Sequence, residues 1–218
     1  MTFDQWIAYV FDHPVTKPEW YWENDDWEGS SAEIIAHLTR TFEECETALN
    51  PFSDAQAAQG LDFLVSNCLS GYMQELKEVK VPLGDRLRCV EAMATLFERY
   101  FAKRCTPHLS HLSMPEPGVS PLNGVCFLWW ETLPLHGMVY HHSEHPDAAE
   151  LDRKFLEVIS RCLEIDSVAC QESALLGLFE WSSYYHETTL FMDDFLRRDA
   201  NIRHELKAYA VRLQTCSL

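Results

Sequence analysis

The sequence predicts an all-α fold: about eight to ten helices, mostly in antiparallel pairs, forming one compact domain over residues 1–218. Three observations carry this. Capping boxes stand at Thr2-Phe3-Asp4-Gln5, Ser30-Ser31-Ala32-Glu33 and Ser53-Asp54-Ala55-Gln56. In each, a hydroxyl and a Gln or Glu three residues on satisfy each other's free backbone N–H groups, and a run of helical apolar period follows. The stretch Leu151 to Tyr185 holds an amphipathic run, then a run apolar over most of its circumference, joined by a turn at Asp166-Ser167. No segment alternates convincingly enough for a strand, and no segment repeats exactly.

In chain order, the first box opens a helix with Phe3, Trp6, Ile7 and Val10 on one face, stopped at His13-Pro14 because the residue before proline is pushed out of the α region. Residues 13–30 form a long connection rich in aromatic and acidic side chains. The second box starts a helix carrying Ile34, Leu38, Thr41, Phe42, Cys45 and Leu49, ended by Asn50-Pro51, and the third starts one carrying Ala57, Leu61, Leu64, Val65 and Cys68. Between Ser70 and Gly84 the period loosens, with Val79 to Val81 a candidate extended piece. Leu83, Leu87, Val90, Ala94, Phe97 and Phe101 then line one face of a helix ending near Cys105. A proline-rich loop over 106–120 precedes a short apolar helix, Leu122 to Trp130, with Pro121 at its head. Residues 134–146 are irregular. Past the pair at 151–185, where Gly177 suits close helix packing, come helices near Thr188 to Arg198 and from Asn201 onward.

Composition bounds the function. Hydrophobic residues at 47% exclude disorder, and a net charge of −17, from 34 acidic against 17 basic residues, argues against nucleic acid and anionic membranes and for a basic partner. No run is long enough for a transmembrane helix, and the start carries no basic, uninterrupted apolar signal. Eight cysteines lie scattered, without a CxxC pair and mostly in apolar helical phase, as reduced thiols pack in a cytoplasmic protein.

Three segments are candidate sites. Trp20, Tyr21, Trp22, Asp25, Asp26 and Trp27 combine aromatic anchors with acids that would steer a basic partner; alternatively the rings fold back as a cover over the first helices. His136, His141, His142 and His145 supply nitrogen ligands in number for zinc, with Glu131 or Glu144 as oxygen ligands, although their spacing matches no fixed zinc signature. Glu172, Glu180 and Glu187, with His186, mark one edge of the second paired helix, which suits acid–base chemistry if enclosed and a water-facing edge if not. No nucleophile elbow, phosphate loop or local Cys-His pairing is present, so no catalytic residue is assigned.

The stretches FDHPV, LNPFSDAQAAQGLDFL, RCVEAMATLFERYFA, NGVCFLWWETLP and ACQESALLGLFEW together resemble a family of uncharacterised bacterial all-helical proteins over most of the chain. In that family the last stretch tends to have histidines where this chain has Leu176 and Glu180. The resemblance implies helix pairs similar to HEAT-like stacks of the α-α superhelix type, and carries no activity, ligand or catalytic residue with it. The expectation is a non-enzymatic cytoplasmic protein that binds another, basic protein, in an immunity-like or adaptor role in a bacterium. The alternatives are a metal-dependent enzyme using the 136–145 histidine loop with zinc, and a homodimer joined through exposed aromatics.

Overall fold

All three capping boxes close. The Thr2 N–H donates to Gln5 Oε1 at 2.8 Å, and the Gln5 N–H to Thr2 Oγ1 at 3.3 Å. Ser30 with Glu33 and Ser53 with Gln56 repeat the exchange. The computed structural model describes residues 1–22, 27–133, 145–198 and 202–216, the last without the Cys216 side chain. Its α-helices are α1 (Phe3–Phe11), α2 (Ser31–Glu43), α3 (Cys45–Ala48), α4 (Asp54–Val65), α5 (Leu83–Leu96), α6 (Ala102–Arg104), α7 (Leu122–Thr132), α8 (Ala148–Cys162), α9 (Val168–Ser182), α10 (Glu187–Arg197) and α11 (His204–Cys216). Since α3 and α6 are single turns attached to longer neighbours, the array matches the expected helix number, and no strand occurs among the described residues. None of the described helices is long and apolar enough to cross a membrane.

The pair α8–α9 is joined through 163–167, and α9 is the most enclosed element. It packs against α7, α8, α10 and α11, as its apolar circumference requires. Gly177 brings α9 close to α7: a Cβ there would lie 2.8 Å from both Cβ and Cγ of Trp130. From α9 the packing continues through α8 to α5 and α2 on one side, and through α7 to α4 and α1 on the other. The buried side chains form one connected cluster from Trp6 to Leu213.

Two local features depart from the sequence expectation. The helix from Leu83 does not run on uninterrupted: a π turn, Phe97–Phe101, adds a residue before α6. There the Phe97 carbonyl takes the Ala102 N–H and the Cys170 thiol, the latter at 3.7 Å, while the Phe97 ring stacks on Trp130 at 5.2 Å. Val79 to Val81 is not extended. A 3₁₀ helix, Tyr72–Lys77, precedes it, and the following turn is held by the buried Arg86 guanidinium, which donates to the carbonyls of Val81 (3.0 Å) and Leu76 and to the Asp147 carboxylate at the head of α8. The backbone acceptors of this segment are thus met by a side chain rather than by a strand.

Cys45, Cys89, Cys126, Cys162 and Cys170 are buried free thiols, in line with their apolar phase. Burial pushes the Cys45 thiol up to about 11 and the Cys89 thiol up to about 12, so neither is poised as a thiolate.

Candidate binding groove

A groove of about 480 Å³ opens between the segment that follows α1 and the outer faces of α4 and α7. Its first wall is Val15, Thr16, Lys17, Glu19 and Tyr21. That wall is fixed by aromatic packing. Trp20 is buried and stacks on His13 at 3.8 Å with the rings 7° apart, and Tyr21 stacks on Phe63 of α4 at 5.6 Å. The second wall is Ala58, Gln59 and Asp62, successive positions along one side of α4. The third is Pro121 with Gly124, Val125, Leu128 and Thr132, a stripe of α7 at helical spacing. Gly124 is the low point of this stripe: a Cβ there would meet nothing within 4 Å.

The groove is apolar at its rim and holds a buried unpaired amide oxygen and a half-buried carboxylate on the α4 side. Val15 is 56%, Leu128 40% and the neighbouring Trp22 61% exposed. Gln59 Oε1 is buried and accepts no hydrogen bond among the described residues. Asp62 holds its proton more tightly than an ordinary aspartate, first because burial penalises the charge and second because Glu19 repels it. Burial, followed by the same two carboxylates, pushes the Tyr21 phenol up to about 12. Glu19 accepts a hydrogen bond from Trp22 Nε1 at 3.2 Å, and Lys17 is exposed. A mostly apolar depression with a few convergent polar groups and shifted proton affinities has the anatomy of a binding site.

No known protein family, curated protein or solved structure matches this chain. The site therefore rests on its own geometry.

The aromatic-acidic stretch divides. Trp20 is core, and Trp27 packs edge-on against Trp6 at 5.8 Å, its N–H donating to Tyr9 Oη and its carbonyl accepting from Tyr72 Oη. These two rings act as the cover, Tyr21 lines the groove, and Trp22 alone of the four presents most of its surface to solvent. Asp25 and Asp26 lie outside the described residues, as do His136, His141 and His142. His145 is partly buried ahead of α8, where its carbonyl accepts the Ala148 N–H. Among the described residues no three His, Cys, Asp or Glu side chains converge as a metal site. Gln59, Asp62, Gly124 and Leu128 were not singled out in the sequence; the available signal was an acid inside the apolar run LDFLV of α4, facing the groove rather than open water.

The polar edge of α9 also differs from the water-facing expectation at Glu172, which is fully buried. Its carboxylate accepts the backbone N–H groups of Ser110 (3.0 Å) and His111 (2.9 Å) and meets His111 Nδ1 at 2.6 Å. The His111 ring stacks on Tyr209 of α11 at 3.9 Å. Together with Asn123, which exchanges hydrogen bonds with both backbone and side chain of Thr106, this carboxylate pins the proline-rich loop to α7 and α9. The physical reason is that a loop lying over the core must pair its N–H groups, and a buried glutamate supplies the acceptors.

Proposed function

We propose that this protein is a non-enzymatic binding protein whose groove between residues 15–21, α4 and α7 receives a segment of a basic protein partner. One observation carries the reading: the groove joins exposed apolar groups, Val15 and Leu128 with Trp22 beside them, to the half-buried carboxylates of Glu19 and Asp62, which form no ion pair among the described residues, and to the buried Gln59 Oε1, which has no hydrogen-bond partner there. Apolar anchors supply affinity, and carboxylates select charge. A net charge of −17 raises the local concentration of any basic partner around the molecule. The helix pairs suit a HEAT-like scaffold, an architecture that works chiefly by displaying binding surfaces, and the resemblance to uncharacterised bacterial proteins favours a cytoplasmic adaptor or immunity-like role.

Selection of random displayed peptides on the immobilised protein tests this. The expected winners combine a lysine or arginine with a neighbouring apolar residue and weaken roughly tenfold or more on Trp22→Ala, a change of about 1.4 kcal/mol or more. Winners without basic residues, or winners indifferent to both Trp22→Ala and Gly124→Leu, would exclude the groove as the partner surface.

A further inference from the structure

We infer that the groove is a receptor for one cationic side chain of the partner, a lysine or arginine whose head sits on the Asp62 carboxylate between Glu19 and the Gln59 amide while its aliphatic stem lies along Val125 and Leu128. This rests on the reading of the groove as the partner-binding surface, and specifies what that surface recognises.

The first argument is the count of donors and acceptors. Gln59 Oε1 is buried without a partner among the described residues, and Asp62 and Glu19 add carboxylate oxygens. The groove's own donors leave them unpaired: the Trp22 indole serves only Glu19, the Thr132 hydroxyl is spent on the Leu128 carbonyl at 3.0 Å, and the exposed Lys17 ammonium and the Tyr21 hydroxyl, though both line the groove, bond to none of these oxygens. An ammonium brings three N–H donors and a guanidinium five, and neither accepts. A neutral apolar occupant would bury the half-exposed carboxylates of Asp62 and Glu19 without compensation.

Charge gives the second. The titratable groups facing Asp62 are Glu19, Tyr21 and Lys17 from the segment before α2; α4 adds the neutral Gln59 and α7 the neutral Thr132. Burial and Glu19 both oppose the ionised form of Asp62, and the exposed Lys17 on the facing wall forms no ion pair with either carboxylate and does not offset them. A bound cation supplies that relief, while an anion would meet two carboxylates. Shape agrees with charge. The polar groups lie on α4 and on the 16–21 wall, and the α7 wall is apolar apart from Thr132, so an amphipathic chain with a polar tip matches both sides at once.

The test uses the full chain and four probes: pentylammonium chloride, pentylguanidinium chloride, neutral pentanol, and a blocked tetrapeptide with one central lysine alongside its norleucine counterpart. Both cations are expected to shift the Gln59 side-chain amide resonances and lower the midpoint of the Asp62 carboxyl titration, with pentanol about tenfold weaker or worse. Asp62→Asn should weaken the cations about tenfold and leave pentanol unchanged, and Gly124→Leu should abolish all binding while the fold persists. Cation binding should also fade as pH drops and Asp62 takes up its proton. Pentanol matching pentylammonium, or cation binding unmoved by Asp62→Asn, overturns the inference. Equal binding of the lysine and norleucine peptides removes the cation site but leaves a peptide-binding groove. Free cations binding as tightly as the lysine peptide keep the cation site and remove the protein partner.

Discussion

Two polar clusters of this molecule invite comparison, one around Glu172 and one around Asp62. Both place a carboxylate from a helix against an irregular segment, and both include a ring from another part of the chain. At Glu172 the carboxylate is wholly enclosed and its acceptor capacity is filled by two backbone N–H groups and the His111 ring. At Asp62 the carboxylate is half enclosed, faces a second carboxylate, and lies beside an amide oxygen with nothing to accept. The difference teaches what separates scaffold from site. A polar cluster satisfied by its own chain stores stability, whereas one left short of donors at the wall of an open groove has acceptors free for the partner proposed above.

The largest expected effect breaks the satisfied cluster. Glu172→Ala leaves two loop N–H groups and the His111 ring without their acceptor, at a cost of about 3 kcal/mol or more and a fall in Tm of roughly 10 °C. Urea denaturation and calorimetry read both, and a loss below about 1 kcal/mol would mean that water replaces the carboxylate and the cluster is not structural. Glu172→Gln, which keeps one acceptor, should fall between this variant and wild type.

Next in size is Gly177→Ala. A Cβ at 2.8 Å from the Trp130 side chain forces α7 and α9 apart, for about 1–3 kcal/mol, measurable as a shift of the urea midpoint with an unchanged slope. Because α7 also forms a wall of the groove, this variant sharpens the comparison: it lowers stability through the core while leaving Asp62 and Gln59 in place.

Asp62→Asn should act in the opposite direction. The folded protein holds the Asp62 proton more tightly than the unfolded chain does. Stability from this group is therefore greatest at acid pH and declines as pH rises from the ordinary aspartate range through the raised folded value. Removing the charge should raise Tm at neutral pH and flatten that part of the stability–pH curve. A lower Tm in the variant would show that Asp62 is satisfied after all, and the two clusters would then be alike.

The smallest stability effect belongs to the most informative change. Gly124 sits on an exposed helix face where a Cβ meets nothing, so Gly124→Leu should hold or gain up to about 1 kcal/mol through helix propensity while filling the groove.

The two clusters were not equally legible in the sequence. Helix heads were readable because a capping box is a local exchange between residues three apart, and α9 announced its burial by its own apolar circumference. The π turn at Phe97–Phe101 left no mark, since an apolar run reads alike whether the turn holds four residues or five. Glu172 invited a water-facing interpretation because its partners are backbone groups 61 and 62 residues away, and backbone donors have no sequence signature. The groove was half legible: Tyr21 and Trp22 stood out by composition, while Gln59, Asp62 and Gly124 acquire meaning only when α4 and α7 lie beside the segment after α1. Which aromatics cover and which contact depends on burial, and Trp20, Trp27 and Trp22 divided accordingly.

The central claim is that the groove, not the enclosed cluster, binds the partner. The most direct measurement is isothermal titration of one selected basic-apolar peptide into wild type, Gly124→Leu and Glu172→Gln, with Tm recorded for each. The account predicts that Gly124→Leu keeps its Tm and loses binding, and that Glu172→Gln loses Tm and keeps its affinity below the melting range. Unchanged affinity in Gly124→Leu, or binding lost in Glu172→Gln at a temperature where it is fully folded, would contradict it.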